Sequence, residues 1–292
     1  MRNILTFMLS CALSVSFAAD VAEGNVDADV LAAARAADAF YQRRLLTITD
    51  GLNSPVEATR VETLRTIGFL QDPALTGQLL PWMQASNRSS VEIITAVTAL
   101  TDSGTVVAVP ALRQLLKHDD AQVRANAMNA ITRAQQIEKT DYIKHAVDSE
   151  SSLRASSNAN LGLMKAEDAA PILLKSLALD TSPHVRRMCA IALGQLGIRE
   201  NGPALAQALT DSNPGVRRYA AEALVKLNYT PAIPNMLMAM EGNIAGDHIA
   251  RSLQLMTMED FGFSSRANPL ARIEAVEKGF LWWNAHAKDL DR

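Results

Sequence analysis

The sequence predicts an all-α protein, an α-solenoid of about six short helix pairs with capping helices at its N- and C-terminal ends. Three observations predict it. First, one segment recurs as His118-Asp-Asp-Ala-Gln-Val-Arg124, Asp148-Ser-Glu-Ser-Ser-Leu-Arg154, Asp180-Thr-Ser-Pro-His-Val-Arg186 and Asp211-Ser-Asn-Pro-Gly-Val-Arg217, its arginines 30, 32 and 31 residues apart. Second, apolar residues around each arginine fall on helical spacing, as in Val185, Cys189, Leu193 and Leu196, or Val216, Ala220, Leu224 and Leu227. Third, a second helix in each unit opens on a proline, at Pro73, Pro110, Pro171, Pro203 and Pro231; the unit near Tyr142 keeps the pattern without one.

From the N-terminus, residues 1–19 read as a secretory signal. Arg2 precedes an apolar run from Ile4 to Phe17, and small residues end it at Ala18-Ala19. The run is shorter than the ~20 residues of a membrane-spanning helix. An uncleaved anchor and a lipidated Cys11 are the two alternatives. Residues 20–49 form an acidic leader followed by an N-terminal capping helix, in which Leu31, Ala34, Ala37, Tyr41 and Leu45 follow at three- or four-residue steps. Residues 50–241 hold the repeats. Before the four clear copies stands a weaker one, Ser86-Asn-Arg-Ser-Ser-Val91-Glu92, and Ser54-Pro55-Val56 marks a further copy whose register the sequence leaves open. Residues 242–292 form a C-terminal capping region. It has a loop over 241–247, a helix from His248 to Thr257, a break through Asp260-Phe261-Gly262-Phe263 to Pro269, and a helix from Ala271 to Ala287 carrying Trp282 and Trp283.

Start and stop marks agree with the helix pairs. Ser182 and Asn213 stand where a capping side chain precedes a first-turn proline. Gly197 and Asn228 stand just past the last apolar position, where a left-handed residue ends a helix. Because a two-helix unit cannot bury both of its helices alone, neighbouring units must stack and share a core.

The series Asp-x-x-Pro-x-Val-Arg, with the Pro-Ala-Leu openings of the second helices, resembles the HEAT repeats, specifically the short HEAT-like type of the phycobilisome lyases. The resemblance covers about two thirds of the chain. The Asp-Phe-Gly segment followed by a helix with a tryptophan pair is similar to the ending of many bacterial HEAT-repeat proteins. It implies an inner surface, formed by the second helices and intervening loops, that receives a protein or extended peptide. It also permits the alternative of a lyase-like or prosthetic-group-attachment enzyme.

The serial Arg124, Arg154, Arg186 and Arg217 each have an acid five or six residues upstream, Asp119, Asp148, Asp180 and Asp211. A ladder of Arg–Asp pairs tying one inter-unit turn to the next accounts for them; a row of guanidiniums holding an anion is the sharper alternative. Trp282, Trp283, Phe261 and Phe263 are candidates either for locking the end of the stack or for a partner-binding patch. The five histidines, His118, His145, His184, His248 and His286, show no metal-ligand spacing. The His-Glu pairs of the iron-binding HEAT-like hydroxylases do not recur. No phosphate-cradling loop or nucleophile motif occurs, so no catalytic residue, metal or cofactor is assigned. Cys189, the cysteine left after signal removal, sits in an apolar run that suits a buried thiol. The net charge of −3, about −4 without Arg2, disfavours nucleic acid as partner. The expectation is a periplasmic or secreted, non-catalytic adaptor, with no membrane span after signal removal, whose partner is another protein of the envelope.

Overall fold

In the computed structural model, residues 28–83, 85, 87–102, 108–242 and 245–290 are described. The expected signal, Cys11 and the acidic start of the leader lie outside them. Among the described residues there are fifteen α-helices, three single 3-10 turns and no strand. The helices are α1 Ala28–Leu52, α2 Glu57–Leu70, α3 Pro73–Met83, α4 Ser90–Asp102, α5 Val109–Leu115, α6 Ala121–Arg133, α7 Lys139–His145 and α8 Ser151–Leu163. They continue with α9 Ala170–Leu179, α10 Pro183–Leu196, α11 Gly202–Ala208, α12 Pro214–Lys226, α13 Ile233–Glu241, α14 Gly246–Thr257 and α15 Pro269–Leu290. From α2 to α13 a longer helix alternates with one that is usually shorter, which makes six pairs, with α1 before them and α14 and α15 after. The chain divides into two compact units, residues 1–136 and 137–292, and the repeat run is shared between them.

Local chemistry sets each helix start. The Asp120 side chain accepts from the N–H groups of Gln122 and Val123, and Asn213 does the same for Gly215 and Val216. Ser182, expected to cap α10, does not. Asp180 instead accepts the Ser182 N–H at 2.9 Å, and Pro183, lacking an N–H, leaves one fewer first-turn donor to satisfy. At the other end a left-handed residue recurs after five of the longer helices, at Gln71, Gln135, Lys165, Gly197 and Asn228. In three of them the next N–H reaches back to the helix, Gln136 to Ile131, Ala166 to Leu161 and Tyr229 to Leu224, satisfying carbonyls the helix leaves open.

In the first unit, Leu64, Ile67, Leu75, Leu79, Ile93, Val97, Leu100, Val123 and Ile131 are buried, and Trp82 donates its indole N–H to the Leu52 carbonyl at 3.0 Å. In the second, Leu173, Val185, Cys189, Leu193, Leu205, Val216, Leu224, Ile233, Leu237 and Ile249 belong to one continuous core. The longer helices of that unit meet through small residues. A Cβ built on Gly162 would lie 2.5 Å from the Ala192 Cα, and one on Gly194 would lie 2.8 Å from the Ala223 Cβ.

Cys189 has no exposed surface, and burial pushes its thiol well above its ordinary range. In the native protein it should resist alkylation by iodoacetamide and react only after unfolding in guanidinium, as read by peptide mass. Labelling of the native fold at the unfolded rate would place this side chain at a surface.

Candidate functional site

The ladder arginines lie one turn inside the N-termini of α6, α8, α10 and α12. Each guanidinium first closes its own turn. Arg124 donates to the His118 and Asp119 carbonyls at 2.8 Å, Arg154 to those of Asp148 and Ser149 at 2.8 and 2.9 Å, and Arg186 to those of Asp180 and Thr181 at 2.8 and 3.3 Å. Arg217 donates to the Asp211 carbonyl.

The carboxylate met by the rest of the fork is the following turn's, not the one upstream of the same arginine. Arg154 holds Asp180 in a two-bond fork of 2.7 and 2.9 Å, and Arg186 holds Asp211 with the same distances. This corrects the pairing read from sequence: Asp180 and Asp211 each offer the carbonyl to their own arginine and the carboxylate to the preceding one. Each carboxylate also organises its own loop, Asp148 accepting from the Glu150 N–H, Asp180 from Ser182 and Asp211 from Asn213. Burial by itself would raise the Asp180 and Asp211 carboxyls. The guanidiniums of Arg154 and Arg186, the loop N–H groups and the further arginine nearby outweigh it and hold both below the usual carboxylate range.

The ladder extends further toward the N-terminus than the four motifs. Arg60 donates to the Ser54 carbonyl at 2.7 Å, the same six-residue reach, which settles the register left open around Pro55. Glu92 occupies the next arginine position, 32 residues after Arg60 and 32 before Arg124. It is buried, pairs with Arg60, and exchanges bonds with Ser89 in a capping box. Glu92 ends the weaker copy recognised at Ser86–Glu92; Arg60, preceded by Thr59 and so without the Val-Arg signature, was missed, and counting back in steps of 32 finds it.

Beside the ladder, α10 and α12 carry a third face. Arg187, Met188, Ile191 and Gln195 on α10, and Arg218, Tyr219 and Glu222 on α12, are all half-buried. Arg218 pairs with Glu222 at 2.8 Å and stands over the Tyr219 ring, and Arg187 contacts His184 at 2.7 Å. The C-terminal aromatics gather at the end of the second unit. Phe261 meets Trp282 edge-on at 6.1 Å, Trp282 stacks on His286 at 4.7 Å, and Phe261, Phe263, Trp282 and Trp283 all pack half-buried against the core. Within the break before Pro269, the Ser264-Ser265-Arg266 loop is tied down, since both carboxylate oxygens of Asp247 accept from Ser265. His118 accepts the Asp120 N–H, and His145 is buried against Asp148 at 3.0 Å. Among the described residues no group of three or more His, Cys, Asp or Glu is arranged to hold a metal, and no helix is long and apolar enough to cross a membrane.

A family model described as HEAT repeats matches residues 45–132, 143–224 and 170–246. The chain belongs to the HEAT-repeat family. Among solved structures, this HEAT-repeat chain is similar to human deoxyhypusine hydroxylase, with 18% identity, 73% of this chain and 84% of that one covered, and a TM-score of 0.37. It is similar to a phycocyanin lyase complex from a Nostoc species, at 21% identity, 72% and 92% coverage and a TM-score of 0.40. An engineered protein gives 16% identity, 81% and 77% coverage and a TM-score of 0.49. These likenesses concern the helical fold and carry nothing about activity. No match to the curated proteins reaches significance.

Proposed function

We propose that this HEAT-repeat protein is a non-catalytic scaffold of the bacterial envelope that binds another protein on the face of its arginine-bearing helices. The observation that carries the reading is the third face of α10 and α12: Arg187, Met188, Ile191, Arg218 and Tyr219 serve neither the ladder nor the centre of the core, and mix apolar, aromatic and guanidinium groups as binding surfaces do. Within the second unit these longer helices touch almost backbone to backbone at Gly162 and Gly194, while α9, α11 and α13 meet at few points. A stack that is tighter on one side bends toward that side. The receiving face is therefore assigned to the arginine-bearing row, and not to the second helices as the family resemblance suggested. Placement in the envelope rests on the signal-like residues 1–19 alone.

The test is capture of binding partners from an envelope extract by the wild type and by a chain carrying Arg187→Glu, Ile191→Ser and Arg218→Glu, with unfolding curves as a control for folding. Recovery of the specific partner should fall by about tenfold or more. Equal recovery by a folded variant would remove the assignment.

A further inference from the structure

The first unit holds a groove of about 920 Å³ between α1, α2 and α4, with Arg44, Arg65, Phe69, Leu70, Gln71, Ile94, Thr95 and Thr98 among its lining and Leu64, Gly68 and Ala99 as its floor. Two features mark it as a binding surface. Its lining carries two arginines and no carboxylate, in a protein whose 31 acids outnumber its 28 lysines and arginines. And Phe69 is 88% exposed on its rim, a position that no packing need of the fold explains.

The walls are more apolar than their composition suggests. Thr95 and Thr98 donate their hydroxyls to the Val91 and Ile94 carbonyls one turn back, at 2.7 and 2.9 Å, so each presents its methyl group instead. The floor is shallow because α2 and α4 approach closely, a Cβ on Gly68 lying 3.0 Å from the Ala99 Cα. The charges remain available. Arg44 has no hydrogen bond or ion pair among the described residues. Arg65 has only an exposed contact of 3.3 Å with Glu62, which a better-placed carboxylate can displace. The acid next in sequence to the lining, Asp72, is engaged by the Tyr41 hydroxyl at 2.9 Å.

We propose that this groove binds a short segment of a partner protein in which acidic residues flank a leucine- or phenylalanine-type side chain. The apolar side chain lies on Ile94 and the Thr95 and Thr98 methyl groups beside Phe69, above the buried Leu64 and Ala99, and the flanking carboxylates reach Arg44 and Arg65. The apolar contact supplies affinity, and the two guanidiniums supply orientation, selectivity and sensitivity to salt. The proposal rests on reading the chain as a protein-binding scaffold but uses a surface separate from that of α10 and α12.

The full chain should be titrated with three fluorescein-labelled peptides: acidic with a central Leu-Phe pair, the same with every acid replaced by lysine, and the same with Leu-Phe replaced by Ser-Ser. Only the first should bind, weakening severalfold between ~50 and ~500 mM salt. Arg44→Glu with Arg65→Glu, and separately Phe69→Ser, should each weaken it by about tenfold, while the α10 and α12 face variant should bind as wild type. All three sites are exposed, and unfolding curves check that these variants fold. Binding of the lysine or serine peptide equally well, no binding of any, or loss of binding only in the α10 and α12 variant would each overturn the groove. The envelope capture would still decide the broader reading independently.

Discussion

Gly162→Val should lower the thermal unfolding midpoint of this protein by roughly 4–8 °C, the equivalent of about 2 kcal/mol for a domain of this size. The reason lies in the contact and not in the glycine's own helix. A glycine near a helix end costs propensity, so a larger residue would ordinarily gain up to about 1 kcal/mol. At Gly162 that gain is reversed, because the first added carbon already falls 2.5 Å from the Ala192 Cα and 2.7 Å from its Cβ, distances at which a backbone must move. Two substitutions serve as internal comparisons. Gly194→Ala meets Ala223 at 2.8 Å and should cost less than Gly162→Ala, whereas Gly77→Ala, with nothing within 4 Å, should stabilise by about 0.5–1 kcal/mol. Equal effects at Gly162 and Gly77 would mean that α8 and α10 do not meet through this contact.

These contacts also show what the chain states openly and what it keeps hidden. The helix pairs were readable because Arg154, Arg186 and Arg217 recur with an apolar stripe behind each, and a period of 31 or 32 residues survives substitution at any one position. Left-handed helix ends were readable at Gly197 and Asn228, whose residue types favour that conformation, but not at Gln71, Gln135 or Lys165. There the conformation is imposed by the packing that follows. Arg60 escaped for a related reason: a ladder position is defined by where its side chain reaches, and the weaker copy that follows ends on Glu92, which fills an arginine's place with the opposite charge by pairing backward to Arg60. The partners of Arg154 and Arg186 were likewise invisible, since Asp180 and Asp211 lie upstream of one arginine and 25 or 26 residues downstream of another, and spacing alone cannot rank the two. The groove beside Phe69 has no sequence motif at all. It arises from three helices, and the threonines that line it count as polar until their hydroxyls are seen bonded to the turn behind.

Arg186→Ala should destabilise the second unit by about 3 kcal/mol, because it leaves a mostly buried carboxylate without its main partner. Arg186 ties the Asp180 turn to the Asp211 turn, and both side chains of its ion pair are largely shielded, with 14% and 12% exposure. Arg186→Lys keeps the charge but cannot form the two-bond fork while also reaching two carbonyls, so it should recover only part of the loss. The pH dependence has a definite sign. Asp180 and Asp211 are held below their ordinary range in the folded chain, so their stabilisation is fully present above the unfolded carboxylate value near ~4 and disappears as pH falls through the lower folded value. Wild-type stability, followed by urea unfolding from neutral pH downward, should therefore fall steeply in that acid range. Arg186→Ala should begin lower and fall less, since the group that depresses Asp211 most strongly is gone. A variant that matches the wild type at neutral pH and loses stability just as steeply in acid would show that the ladder accompanies the stacking without supporting it, leaving the small-residue contacts at Gly162 and Gly194 as what holds one repeat against the next.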